Sequence, residues 1–451
     1  MVDAAYLTDA SGFTGSAERL IVAETEADVV KTLAEAVRTR TPITVVGAGS
    51  GLTGSRVAQG GWVLSLERFR KLEVEEDFAR VGPAVSLMGL RDAAAKSKQF
   101  YAPDPTEITA SMGGTIATNA SGSRSFRFGS TRRHLRALKV ATMDGNVRWY
   151  RRGEAIDFDV PEIPEPATTK NTAGYRLKPG MDWIDLFCGS EGTLGVTLEA
   201  EVALLPMPKE LFAGVIFFAS DDDALNAVGR WRALGELRML EYADRPSLDM
   251  IGGRYPEIPS EAQAAVLIEA EGEDVDAWVA RLEESHALIE ASWFALDAKD
   301  RERFRAFRHA MPELVGETMR RHGFMNMGTD YAVPLDRDRE MLSFYRQRLE
   351  KELPGRYVVY GHLGDAHLHV NMLPATEREA EIAAVLLKEF AAHAVELGGT
   401  VSAEHGLGKR KAGLMRLQFS AEQMEAMRAV KSRLDPLWLL GRGTLFEPDA
   451  L

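Results

Sequence analysis

Cys188 is the only cysteine in 451 residues. No disulfide can form within the chain, which fits a reducing compartment. A lone cysteine also excludes an iron–sulfur cluster held by this chain's own cysteines. Electrons taken up here would have to pass to a separate, external acceptor. An excess of positive charge is missing too, since the formal net charge is −13. Nucleic-acid binders normally carry a basic face, so no nucleic-acid partner is expected. The local run Arg132-Arg133-His134-Leu135-Arg136 reads as a solvated face. Long apolar runs are absent, and stretches such as Gly214–Ala219 are far too short to span a bilayer. The opening Met1-Val2-Asp3-Ala4-Ala5-Tyr6 has neither the basic nor the apolar segment of a secretory leader. The expected location is cytoplasmic, with peripheral membrane contact left open.

What is present is the composition of a globular chain, 45% hydrophobic and 27% charged, long enough for two or three domains. Residues Glu24–Arg40 carry Val29, Val30, Leu33, Ala34 and Val37 at the spacing of one helix face. Pro42 then introduces a short strand, Ile43–Val46. Strand and turn signals follow at Trp62–Leu66, Leu138–Met143 and Gly195–Leu205, with a proline-rich acidic loop at Asp157–Pro166. Pro206-Met207-Pro208 marks a boundary. Beyond about residue 210, strands at Ala213–Phe218 and Ala264–Glu269 alternate with helices at Asp222–Leu234 and Asp274–Ile289. That pattern predicts a second, α+β domain around an antiparallel sheet. The segment Leu434–Phe446 is read as returning to the first domain.

The run Val45-Val46-Gly47-Ala48-Gly49-Ser50-Gly51-Leu52-Thr53-Gly54 contains G-x-G-x-x-G after a strand. A dinucleotide fold of the NAD type needs a crossover helix next, at least about ten residues. Only seven residues separate Gly54 from the strand at Trp62, so that fold is rejected. A nest of exposed backbone N–H groups remains, able to hold a diphosphate without Lys or Arg. A plain glycine-rich hairpin is the alternative. Two more clusters of small residues weigh against it: Ser111–Gly122, following Pro103-Asp104-Pro105-Thr106, and Gly189–Gly195.

Three of the nine histidines fall between positions 362 and 369. After Ala366 the pattern alternates, with His367, His369 and Asn371 on one strand face and Leu368, Val370 and Met372 on the other. A Gly-Asp turn after His362 can fold it back toward His369. Ser402-Ala403-Glu404-His405-Gly406-Leu407-Gly408 adds a carboxylate and another imidazole on a glycine-rich loop. Two histidines and one glutamate suit a first-row transition metal with open positions. A metallohydrolase would use the same ligands, and scattered surface histidines are the plainer reading.

The segments 47–54 and 103–129, the run Lys170-Asn171-Thr172-Ala173-Gly174-Tyr175 and the segment 189–196 resemble the FAD-binding domain of the vanillyl-alcohol oxidase/PCMH superfamily. Within it the chain is similar, over nearly its whole length, to the FAD-linked D-2-hydroxy-acid dehydrogenases. These include D-lactate dehydrogenase, D-2-hydroxyglutarate dehydrogenase and the glycolate oxidase flavoprotein subunit. The resemblance implies an α+β chain: a PCMH-type FAD domain over 1–207, an antiparallel-sheet substrate cap over 208–433 and a segment 434–451 packing back on the FAD domain. It implies FAD contacts from Gly47, Ala48, Gly49, Ser50, Gly51 and Leu52, from Pro103 and Asp104, and from Gly113, Gly114, Thr118, Asn119 and Gly122. Glu191, Gly195 and Val196 complete that set. The implied metal ligands are His362, His369 and Glu404, holding zinc, with manganese or iron as alternatives. His405 matches the catalytic base; Asn371 and Arg308 match substrate-binding positions. A solvated helix arginine is the other reading of Arg308. His367 stands where relatives often carry Asn, and its role is open between a fourth ligand, an orienting partner and a substrate contact.

The implied reaction takes a small 2-hydroxy acid, of D configuration, to the keto acid. Hydride goes to flavin N5 and electrons pass to a quinone, an electron-transfer flavoprotein or another carrier. A homodimer is the default assembly. Three departures bear on the substrate: Pro312 in place of a hydroxyl residue, Gly328 in place of a lysine, and Gly441-Arg442-Gly443-Thr444 in place of an Asn-Pro-Gly-Lys turn. Rival readings are a superfamily oxidase or synthase with another substrate, a zinc hydrolase, and a non-catalytic partner subunit.

No histidine stands in the 47–54 loop, where covalently flavinylated members of the superfamily place one. Cys188 reads as a small buried residue. The FAD is therefore expected to be non-covalent. Denaturing the purified protein and filtering it should give a yellow filtrate; colour retained on the denatured chain would reject this.

Overall fold

The computed structural model describes residues 2–272 and 275–447. Helix Glu26–Thr39 starts where Thr25 and Asp28 exchange side-chain and backbone hydrogen bonds, a capping box that satisfies two free N–H groups. Val29, Leu33 and Ala36 form its buried face. It leads into Ile43–Val46, one edge of a three-stranded sheet whose centre is Trp62–Ser65 and whose other edge is Arg19–Val22. Ile43 and Arg19 both pair with Trp62, and both pairings are parallel. A parallel pair excludes the hairpin alternative for residues 47–61, which cross over without any helix.

A five-stranded antiparallel sheet runs in the order Leu72–Val74, Phe78–Val81, Val196–Ala203, Leu135–Ala141, Val147–Arg151. The basic run read as a solvated face lies at its entrance and is largely internal. The Arg132 guanidinium donates to the carbonyls of Asp185 and Cys188, and buried His134 bonds the Phe128 carbonyl. Arg133 alone of the run is exposed.

Residues 211–372 build a seven-stranded antiparallel sheet. Its order is Trp293–Phe294, Leu211–Phe218, Ala264–Glu271, Leu237–Asp244, Tyr357–His362, His367–Met372, Met327–Gly328. Val215 and Phe217 face helix Ala298–His322 through Phe304, Phe307 and Met311. Ile216 and Phe218 face the opposite way, onto Val228 and Trp231 of helix Asp221–Trp231. Helix Val275–Glu284 is shorter than expected, with His286 left-handed at φ 56° after it; the expected start at Asp274 lies outside the described residues.

One apolar cluster runs from Leu138 and Val140 of the first half through Ile216, Val266 and Val370 of the second to Met427. The two halves thus share a core. In the C-terminal segment Leu440 bridges Ile43 in parallel, and Ile43 exchanges backbone bonds with Leu439 and Gly441. Among the described residues no helix is long and apolar enough to cross a membrane.

Lys431 locks this segment in place. Its side chain is 3% exposed, and Nζ donates to Asp435 and to the carbonyls of Thr193 and Leu440. Lys431→Met should strand the buried Asp435 carboxylate and lower holoprotein stability by about 3–5 kcal/mol in urea denaturation. A loss under about 1 kcal/mol would reject that role.

Candidate active site

Residues 47–53 leave the end of strand Ile43–Val46 and border a cavity of about 600 Å³. A Cβ on Gly47 would lie 2.7 Å from Ser111 Oγ, so the second glycine cluster closes directly on the first. Ser111 also caps the short helix Met112–Ala117 by accepting from Gly114 N. The third cluster brings Ser190, Glu191, Gly192, Gly195 and Val196 to the same wall. Backbone-lined on three sides, the cavity suits a long, flat, phosphate-bearing ligand.

Most residues expected at the flavin do line this cavity: the run Gly47–Leu52, Gly113, Gly114, Thr118, Glu191, Gly195 and Val196. Pro103, Asp104, Asn119 and Gly122 do not. The Asp104 carboxylate is occupied by Arg91, Arg124 and Arg305. Asn119 accepts from the Arg132 backbone N–H. Gly122 lies so close to the Asp104 carbonyl that a Cβ would come within 1.9 Å of it. These four support the wall from behind.

The histidines sit on the hairpin Tyr357–His362 / His367–Met372, where His362 pairs with His367 and Tyr360 with His369. Alternation holds as expected, with Leu368, Val370 and Met372 in the core. The other face is enclosed as well: His367 is 0% and Asn371 5% exposed. His362, His367, His369 and Glu404 each offer a donor atom, all within 4.8 Å of one another. Glu404 Oε2 lies 3.2 Å from His362 Nε2 and 3.9 Å from His369 Nε2. Its Oε1 accepts from Ser121 Oγ at 2.8 Å and Lys170 Nζ at 2.7 Å.

Two buried carboxylates hold the loop that carries Glu404 and His405. Asp330 accepts from the backbone N–H groups of Glu404 and His405 and from Ser402 Oγ. Glu191, from the flavin half, accepts from Leu407 N, Gly408 N and Ser55 Oγ. His405 lines the cavity with a ring 29% exposed, its Nδ1 3.5 Å from Asp330 Oδ2. It stacks on His369 at 5.7 Å and 20°.

Charge in this region is dense. Burial opposes ionisation of Glu404, but His362 and Lys170 outweigh it and hold the carboxyl well below its usual range. Asp330 is likewise held low against burial, chiefly by His405 and His367. Burial, reinforced by His367 and His362, keeps His369 neutral by pushing it far below its ordinary value. His362 is raised, because Glu241 and Glu404 outweigh its burial. Glu241, Asp330, Asp365 and Glu404 face Lys170, Arg308, Lys411 and the raised His362, so the carboxylates here are matched by cations. The neutral His369 imidazole and the ionised Glu404 carboxylate are the donor states that a divalent cation takes.

Neither Arg308 nor Asn371 lines the cavity; Arg308 Nε donates to Glu241 Oε2 at 2.8 Å and its Nη1 to Thr106 at 3.0 Å. Glu241 in turn bonds His362 Nδ1 at 2.6 Å, so Arg308 steadies a carboxylate that orients a histidine. Asn371 keeps a buried amide nitrogen without a partner. A Cβ on Gly328 would meet Asn371 Oδ1 at 2.6 Å, so a larger residue there would push the Asn371 amide aside. Helix Ala298–His322 runs through Pro312 without ending. Glu241, Asp330, Lys170 and Asp365 were not singled out from the sequence. Glu241 had one local signal, an acid in the apolar strand Leu237–Asp244.

The family described as "FAD linked oxidases, C-terminal domain" matches residues 207–445. That described as "FAD binding domain" matches residues 17–151. The chain belongs to the FAD-linked oxidases. It is 30% identical to glycolate oxidase subunit GlcD of Bacillus subtilis over 437 residues, covering 91% of this chain and 85% of that one. It is 30% identical to D-lactate dehydrogenase of Archaeoglobus fulgidus over 411 residues, 89% and 85% of the two chains. With D-2-hydroxyglutarate dehydrogenase of Xanthomonas citri the identity is 29% over 417 residues, 89% and 83%. Among solved structures, an alkyldihydroxyacetonephosphate synthase superposes with a TM-score of 0.67 at 14% identity, covering 94% of this chain and 76% of that one; this likeness concerns the fold. As an FAD-linked oxidase the chain is an FAD-dependent oxidoreductase.

The join between loop and flavin half contains one more buried charge. Lys409 Nζ donates to the Ser55 carbonyl and to Thr444 Oγ1, within the turn that departs from the family pattern. Burial pushes its ammonium down to about 8. An unfolded lysine titrates near about 10.4. Between about pH 8 and 10.4 the unfolded chain therefore binds more protons, and stability gains from this group as pH rises. Lys409→Met should remove that alkaline gain in urea midpoints of the holoprotein; an unchanged slope would reject it.

Proposed function

We propose that this FAD-linked oxidase dehydrogenates a small D-2-hydroxy acid to the 2-keto acid. One divalent ion, zinc, bound by His362, His369 and Glu404 assists, and an external acceptor other than NAD takes the electrons. A single observation carries the reading: Glu404 and His405, beside the histidine hairpin, border the same cavity as the three glycine clusters. Relatives named as D-lactate, D-2-hydroxyglutarate and glycolate enzymes support the substrate class.

When bound, the flavin supplies a hydride acceptor and the ion a Lewis acid for the substrate's oxygens. His405 takes the hydroxyl proton as general base. Asp330, beside its Nδ1, holds the ring and stabilises the imidazolium that forms. The free Asn371 amide is a donor for the substrate carboxylate. Glu241 keeps His362 Nδ1 occupied, so its Nε2 stays turned toward Glu404. Lys170 and Ser121 take up the other Glu404 oxygen, leaving Oε2 for the ion. The proton ends on His405, the α-hydrogen leaves with two electrons, and the keto acid departs.

The test is the flavin band without oxygen as D- and L-lactate, glycolate and D- and L-2-hydroxyglutarate are added in turn. Bleaching by one or more D acids or glycolate, lost after chelation and restored by zinc, is expected. His405→Gln should slow it by about 10²–10⁴-fold. No bleaching with any hydroxy acid would overturn the reading; bleaching indifferent to chelation would remove the metal from it.

A further inference from the structure

His367 is 0% exposed, and neither of its ring nitrogens has a hydrogen-bond partner. Buried side-chain nitrogens are nearly always bonded, so an imidazole with both unpaired needs a reason. Its nearest carboxylate is Asp330, with Oδ1 3.3 Å from Nε2, a contact that acts electrostatically on both groups without meeting hydrogen-bond geometry. Asp330 already accepts from Ser402, Glu404 and His405. A histidine kept only to fill the core would show a bond it does not have.

The surroundings give the reason. The His367 ring centre lies 4.5 Å from that of His369 and 5.3 Å from that of His362. It pairs with His362 across the hairpin and shares a strand face with His369. One of its nitrogens belongs to the group of four donors within 4.8 Å. Two features coincide here, unpaired nitrogens and convergence on two histidines and a carboxylate. We propose that His367 is a fourth protein ligand of the divalent ion.

This rests on the metal reading above and changes its character. Three imidazoles and one carboxylate form a nitrogen-rich donor set. Imidazole favours zinc, iron, copper and nickel, whereas oxygen donors suit magnesium, calcium and manganese. His367 therefore raises affinity unevenly, strengthening zinc more than manganese.

The test uses metal-stripped, FAD-loaded protein. Zinc and manganese affinities are measured by chelator competition for wild type, His367→Asn and His369→Ala, with FAD content as the check on folding. Crystals of the wild type soaked in zinc are read from anomalous density. A His367 nitrogen at about 2.0–2.1 Å from zinc is expected. His367→Asn should lose more than about 100-fold in zinc affinity, beyond the usual effect of a residue that only orients a ligand. Its loss in manganese affinity should be smaller. Zinc lying more than about 3 Å from both His367 nitrogens overturns the proposal. So does a zinc loss in His367→Asn no greater than that for manganese. If zinc still binds and His369→Ala abolishes it, the metal reading survives that failure. If wild type binds no zinc at all, both fall. Should His367→Asn fail to retain FAD, the wild-type map decides alone.

Discussion

The carboxylate of Glu404 faces two ways, and the site depends on that division. One oxygen is held by Ser121 and Lys170 from the flavin half, and the other is turned to His362 and His369 from the cap. In water such a group would rotate freely. Here Lys170 is 1% exposed and Glu404 10%, so both bonds act in a low-dielectric setting where they are strong and costly to break. The loop behind it is fixed independently, by Asp330 on the cap side and Glu191 on the flavin side. Gly408 is bound to this arrangement by φ +55° and by the Thr53 carbonyl, 2.1 Å from where a Cβ would stand. The loop therefore cannot move with one half alone.

Shared structure follows from the same requirement. A redox site between two domains would open if they moved as separate bodies, and interdomain contacts in general allow such motion. Here the apolar cluster is continuous from Leu138 to Val370 and Met427, and Leu440 closes the sheet edge at Ile43. The polar links at Glu404 and Glu191 are thus set in a rigid frame. Their precision comes from packing, which tolerates little displacement.

What was legible in the sequence is what chemistry confines to short spacing. Glycine clusters must be contiguous to present consecutive N–H groups, and the strand alternation at His367, His369 and Asn371 is local. The missing crossover helix was countable. Glu241, Asp330 and Lys170 were not legible as site residues, because their partners lie far along the chain: 67 positions for Glu241 and Arg308, 75 for Asp330 and His405, 234 for Lys170 and Glu404. Arg308 was placed by the family resemblance; its bond to Glu241 is a contact between a helix and a strand that no local pattern encodes. Arg132 was misread for a related reason: a charged run looks solvated until the carbonyls of Asp185 and Cys188 are found around it. Gly328, a departure bearing on the substrate, stands directly beside the Asn371 amide, a proximity across two strands that the sequence does not show.

The architecture alone does not select a reaction, since a synthase shares it at 14% identity. Selection lies in how the four imidazoles of this site are graded by exposure. His367 is sealed, His362 is 3% exposed, His369 15% and His405 29%. Sealed rings cannot exchange protons with solvent during turnover, which suits groups that bind rather than shuttle a proton. Only the last in the series borders the cavity, and it also has a carboxylate beside its far nitrogen to stabilise a gained proton. In the proposed reaction, ligand and base are the same side chain chemically, and depth below the cavity wall is what would separate the two roles.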